Sequence, residues 1–205
     1  MATRIPPLLS PYLTIPSESS LLLLTGVLGA STNWLVLRYV YSLLQDTQPP
    51  VNILLVSFLR DITFWKDAAS RIGLDLMAHG RAGRFIFGEG LTGGLFTDTT
   101  TTEPTGWMIS MNTAVLGNVK TMLEESIEKL KTGGSRVVLI IDQIDLLLAA
   151  GGESISVKEV REMLLDLREV CFKFLSSSCL YLNHGIIWPT YSTDFTCMYH
   201  DSISR

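Results

Sequence analysis

The chain has 205 residues, 47% hydrophobic and 18% charged, with 16 Gly and 8 Pro, which excludes a disordered tail and suits one globular domain with a sizeable core. Lys and Arg number 16 against 20 Asp and Glu, a net charge of −4, so nucleic acid would need a local basic patch or a basic partner. The cysteines, Cys171, Cys179 and Cys197, all lie near the carboxyl terminus; they form no disulfide framework and no paired CxxC metal site, and a reducing compartment fits them best.

Residues 1–16 hold Pro6, Pro7, Pro11 and Pro16 and one Arg. This is not a secretory pattern, and residues 1–18 are expected to be a flexible, extended arm. Residues 21–37 carry no charge and come close to the length of a membrane helix. Against a span stand Thr25, Gly26, Gly29, Ser31, Thr32 and Asn33, clustered where hydrocarbon would least tolerate them, and Arg38 just beyond. A strand over 21–24, a small-residue loop over 25–32 and a helix capped by Asn33 account for the same residues. Leu35, Val36, Tyr39, Val40, Leu43 and Leu44 recur at helical spacing, and Pro49-Pro50 stops the helix before a strand over 51–58. The result is a β-α-β unit with parallel strands.

A helix over 62–72, a Gly-rich turn over 80–84 and a strand over 85–87 repeat the alternation, and residues 90–106, rich in Gly and Thr, read as a long surface loop. A helix over 113–130 follows, with Lys120–Glu124 and Glu125–Lys129 as i,i+4 pairs. Next come the strongest strand, 137–141, ending on Asp142, and a helix opened by the capping box Ser156-x-x-Glu159. This order predicts a three-layer α/β domain over residues 19–170 with a mainly parallel central sheet.

Three features bear on chemistry. A phosphate-binding loop reads G-x-x-x-x-G-K-[ST], with backbone amides around the phosphate, a neutralising lysine and a hydroxyl on Mg²⁺. Aligning Gly26 with its first glycine puts Ser31, Thr32 and Asn33 at the Gly, Lys and Ser/Thr positions. The cofactor-binding candidates are therefore Gly26, Gly29, Ser31, Thr32, Asn33 and Asp142, in a site that lacks its main cation; a plain strand-to-helix turn of small residues explains the loop equally simply. Asp142 stands where such proteins place a Mg²⁺-holding acid, although any parallel strand must end in something polar. Arg60 and Asp61 lie just past the second strand, where α/β sheets place clefts and contacts, and Trp65 follows on an amphipathic helix that favours a core role. No histidine spacing suggests a metal, and no catalytic residue is expected.

The blocks LLTGVLGASTNWLVLRY, VSFLRDITFWKDAASRIGLDL, FIFGEGLTGGLF and VVLIIDQIDLLLA, in this order over residues 21–170, resemble the Elongator complex protein 6 family, its fungal members in particular. The resemblance implies a RecA-like P-loop NTPase-type fold with a degenerate P-loop. It also implies a non-catalytic subunit, without cofactor or metal, in a hetero-hexameric ring with Elongator subunits 4 and 5. That ring binds tRNA and supports wobble-uridine (U34) modification within the whole Elongator complex, in the cytoplasm and also the nucleus. On this resemblance Arg60, Asp61, Trp65, Gln143 and Asp145 are interface or structural signature residues, and Asp142 and Gln143 mark an ancestral nucleotide site.

Residues 171–205 fit less well. They have no clean period and offer only 179–182 and 185–188 as short strand-like runs, so they read as an atypical tail, spliced or mispredicted, in place of one or two native strands. An unpaired sheet edge is expected from such a replacement. Two competing readings are a nucleotide-hydrolysing enzyme with a site completed in trans and a small protein anchored in a membrane through residues 21–44.

Overall fold

Residues 53–56 are apolar at every position, so a strand there has no face to offer water and must lie between two covering layers. A computed structural model shows this arrangement and describes residues 8, 10–13, 20–26, 31–45, 50–90, 106–111, 115–131, 135–172 and 179–184. The elements in chain order are β1 (Ser20–Thr25), α1 (Asn33–Gln45), β2 (Val51–Ser57), α2 (Ile62–Ser70), α3 (Leu76–Arg81), β3 (Phe85–Glu89) and β4 (Met108–Ser110). They continue with α4 (Leu116–Leu130), β5 (Arg136–Asp142), α5 (Ile144–Gly151), α6 (Val157–Phe172) and β6 (Cys179–His184). The six strands form one sheet in the order β1-β6-β5-β2-β3-β4, and every pairing is parallel.

Alternate residues of the central strands serve opposite layers. Ile53, Leu55, Phe85, Phe87, Val138 and Ile140 pack with α1, α2 and α3 through Val40, Trp65 and Leu76. Leu54, Val56, Ile86, Leu139 and Ile141 face α4, α5 and α6 through Leu123, Leu147 and Leu167. All seven positions of β2 are buried, which identifies it as the middle of the three-layer α/β fold. Asp61 and Asp75 cap α2 and α3 by accepting from Phe64 N at 2.9 Å and Ala78 N at 3.0 Å. The capping box closes as its spacing requires, Glu159 N donating to Ser156 Oγ at 3.2 Å and Ser156 N to Glu159 Oε2 at 2.8 Å.

The uncharged stretch 21–37 is divided between a strand and a helix, as expected, and among the described residues no helix is long and apolar enough to cross a membrane. Other expectations are corrected. Within the expected arm, Ser10–Leu13 is a 3-10 turn whose Leu13 is buried in the α1 layer; residues 1–7, 9 and 14–18 lie outside the described residues. The helix read over 62–72 ends at Ser70, and Gly80 and Arg81, read as a turn, belong to α3. The helix expected from 113 begins at Leu116, and neither α5 nor β4 carries a sequence pattern that predicts it. Lys120 pairs with Glu124 at 3.9 Å but more closely with Asp166 of α6, at 2.6 Å; Glu125 and Lys129 form no ion pair among the described residues. Loop residues 91–105 and the run 185–188 lie outside the described residues.

The carboxyl-terminal stretch enters the sheet. Residues 179–184 pair with β1 from Ser20↔Cys179 to Thr25↔His184 and with β5 from Leu139↔Leu180 to Asp142↔Asn183. The stretch expected to leave an edge open thus joins β1 to the rest of the sheet. Among the described residues, the outer edge of β1 has no strand beside it, and Leu21 and Leu23 on one of its faces are exposed.

Candidate functional site

In a parallel sheet the strands end together, and loops that diverge from their carboxyl ends leave room for ligands and contacts. Here the register sets Ser57 of β2 beside Asp142 of β5. Both are buried, Asp142 at 0% exposure and Ser57 at 1%. Ser57 Oγ donates to Asp142 Oδ2 at 2.8 Å and accepts from Arg60 N at 2.9 Å. A buried carboxyl group needs such partners to offset the water it has lost. The same serine therefore orients the acid and shapes the loop that carries Arg60. Nothing in the local sequence marks this role of Ser57, because a serine ending a strand is commonplace; only the register reveals its partner.

Immediately after Asp142 the chain reverses through Gln143, whose φ of 58° and ψ of 50° lie in the left-handed region, and α5 begins. Gln143 is half-buried in this turn, and Asp145 sits in the first turn of α5, also half-buried. The turn holds the end of β5 close to the sheet, with Phe58 N donating to Asp142 O at 3.1 Å.

The other half of the site is the start of α1. Gly26 is described, whereas Gly29 lies outside the described residues. Asn33 is not the cap that its sequence position suggests: the helix begins at Asn33 itself, and the Thr32 carbonyl accepts from Leu35 N at 2.9 Å and Val36 N at 3.1 Å. Ser31 Oγ accepts from Asn33 N at 3.2 Å, so a serine supplies the first cap bond. The Asn33 side chain reaches across to the loop after β2. With its amide oxygen turned toward the guanidinium, Asn33 Oδ1 accepts from Arg60 Nε at 2.9 Å and Nη2 at 3.2 Å, and from Ser31 Oγ at 3.1 Å. The Arg60 guanidinium also lies over the Phe64 ring, 4.2 Å from its centroid.

The signature candidates therefore occupy different places. Arg60 is half-buried at the site, and Asp61 is the exposed cap of α2. Trp65 is wholly buried, edge-on to Phe64 with centroids 5.4 Å apart, so it presents no surface to a partner. Asp142, Ser57, Arg60, Asn33 and Ser31 form a polar chain from the end of β5 to the start of α1. That chain joins the two halves of the site through side chains and the backbone N–H of Arg60. Among the described residues, no group of His, Cys, Asp and Glu is arranged to hold a metal ion.

A scan against family models finds no match. No curated protein matches either. Of solved structures, 132 chains match. One of them is a KaiC-like protein of the hyperthermophilic archaeon Pyrococcus horikoshii OT3, with a TM-score of 0.55 and 15% identity over 82% of this chain. The chain spans 64% of the length of that protein. Likeness at this level concerns the fold alone, an α/β fold with a parallel central sheet, consistent with the RecA-like P-loop NTPase type.

Proposed function

We propose that this chain is a non-catalytic RecA-like subunit of a ring-shaped assembly, its former nucleotide site held together by protein side chains. The observation that carries this reading is the start of α1. Thr32 stands at the position of the phosphate-binding lysine, and the neighbouring Asn33 is bonded to Arg60. At the other half of the site the acid is wholly buried and bonded by Ser57. A phosphoryl-transfer site needs a cation on the phosphates and an acid open to Mg²⁺; Thr32 in place of the lysine and the burial of Asp142 support the non-catalytic reading. The finer identity, the Elongator accessory ring with subunits 4 and 5, rests on the four sequence blocks. It carries with it tRNA binding by the assembled ring, support of wobble-uridine modification, and a cytoplasmic and nuclear location. A −4 chain suits that division of labour, since the basic surface for tRNA would come from its partners. The test is tRNA binding by the ring purified with and without this chain. Binding that requires the chain, with no nucleotide hydrolysis at this site, supports the proposal; binding that is indifferent to it sinks the proposal.

A second reading is a nucleotide site completed in trans, and the likeness to a KaiC-like protein bears on it more directly than on tRNA. Arg60 favours it too, because its guanidinium stands within 2.9 Å of the first residue of α1, where an anion would be stabilised. Titration of Mg-ATP into the isolated chain and into the assembled ring separates the readings. Saturable binding in the ring, abolished by Arg60→Ala in this chain, would favour the second.

A further inference from the structure

Strands of a parallel α/β sheet are normally covered on both faces. Leu22 and Leu24 of β1 pack against the α1 layer, whereas Leu21 and Leu23, on the opposite face, are 37% and 48% exposed. The helices on that side leave them uncovered: α4 packs on β2, β3 and β5, and α5 and α6 pack on β6, the neighbour of β1. From Ser20 to Thr25, β1 also carries neither a charge nor a proline, the residues that commonly protect a free sheet edge.

One side of α6 borders this uncovered strip. Asp166 of α6 faces α4, where it takes Lys120 Nζ at 2.6 Å. At about 100° per residue, Val157, Arg161, Leu164 and Arg168 lie on the other side of the helix, turned toward β1. Val157 and both arginines are exposed, and Leu164 is half-buried. Neither arginine has an ion pair among the described residues, and no acid stands three or four residues from either along the helix. The strip therefore suits a segment that is apolar and presents two carboxylates.

We propose that residues 185–205 of this chain are that segment: they turn back at the carboxyl end of the sheet and pack over Leu21 and Leu23 beside α6, with Asp194 facing Arg161 and Asp201 facing Arg168. The chain arrives in place, since His184 is paired with Thr25 of β1. The α6 connection carries it from β5 to β6 on this face of the sheet and toward β1, and a continuation of the same hand passes over Leu21 and Leu23. Residues 185–193 can span up to about 30 Å, which exceeds the turn back over a layer one helix thick, about 10 Å. Asp194 and Asp201 are the only acids from 185 to 205, seven residues apart as the two arginines are. Because α6 also runs away from the carboxyl end of the sheet, the first acid meets the first arginine. Ile186, Ile187, Trp188 and Phe195 supply apolar surface. A tethered segment, at an effective concentration of about a millimolar, outcompetes a separate chain of equal affinity.

The test is the rate of chymotrypsin cleavage after Tyr191, Phe195 and Tyr199 in the folded full chain, together with its mass in solution. Arg161→Asp combined with Arg168→Asp is expected to raise the rate about fivefold or more, because repulsion replaces attraction at both places. Both arginines are exposed, so circular dichroism and melting temperature should stay those of the wild type. Adding Asp194→Arg and Asp201→Arg to that variant should return the rate to within about twofold of the wild type. The two tail substitutions alone should raise it as the two in α6 do, and they carry the same test if the α6 variant fails to fold. An unchanged rate in the folded variants, or an exchange of charges that does not restore it, overturns the proposal. A wild type that is dimeric, with cleavage that speeds up on dilution, assigns the strip to a second copy and overturns it as well.

Discussion

Ser57→Ala removes the hydroxyl that joins Asp142 to the Arg60 loop, and the size of the loss can be worked from the structure. One bond lost is to a carboxyl group at 0% exposure; taking a hydrogen-bond partner from such a group costs about 1–3 kcal/mol. The other is to Arg60 N, which is part-buried, so water can partly replace it and the loss there is about 0.5–1 kcal/mol. The two together come to about 1.5–4 kcal/mol. A chain of this size shifts in melting temperature by roughly 2–4 °C per kcal/mol, so the variant should melt roughly 3–16 °C lower. Urea unfolding followed by circular dichroism gives the free energy directly, provided that the m-value is unchanged. The effect should be smaller in an Asp142→Ala background, where the bond between the two side chains is already gone and only the bond to Arg60 N is left to lose. A loss under about 0.5 kcal/mol for Ser57→Ala, or full additivity with Asp142→Ala, would refute the reasoning.

Three further predictions concern packing, backbone and pH. An added Cβ at Gly80 would lie 2.5 Å from Trp107 Cδ2 and 2.7 Å from its Cγ, so Gly80→Ala should destabilise by about 1–3 kcal/mol in urea unfolding and alter tryptophan fluorescence; an unchanged midpoint would contradict this. Gln143, at positive φ, should tolerate Gly within about 0.5 kcal/mol but lose about 1–2 kcal/mol as Gln143→Val, since a β-branched side chain is poorly accommodated there; equal stabilities would show the turn to be relaxed. Burial, and secondarily the charge of Arg84, hold His79 below the ordinary value of 6.5, with Asp75 opposing. As pH falls through 6.5 the unfolded chain takes up this proton first, so the native state loses stability down to its own lower value. His79→Gln should therefore flatten the stability curve as pH falls below 6.5, and parallel curves for both proteins would disprove the assignment.

The parts of the fold legible in the sequence are those whose pattern is both local and strong. The apolar runs of β2 and β5, the helical spacing from Leu35 to Leu44, and the Ser156–Glu159 box each state their own structure, and their order gives the α/β class. The misses have physical reasons. Gly80 looks like a turn residue, yet it sits inside α3, against the Trp107 ring. Residues 146–150 form an apolar run too short to distinguish helix from strand, and β4 is only three residues long. The strand at Cys179–His184 overlaps a run suspected from sequence, but its place between β1 and β5 is a matter of topology, which local pattern does not carry. The site divides in the same way. Asp142 is marked by ending a strong strand, whereas its bond to Ser57 and the Asn33–Arg60 link join residues far apart in the chain, and only the parallel register brings them together.

If this chain is the assembly subunit proposed above, native mass spectrometry of the full chain co-purified with Elongator subunits 4 and 5, without nucleotide and then with Mg-ATP, tests it in one step. The expected result is a hetero-hexamer that contains this chain and has the same mass in both conditions, with no nucleotide retained at its site. A chain that stays alone, or a ring that forms only when ATP is bound to this subunit, would overturn the proposal.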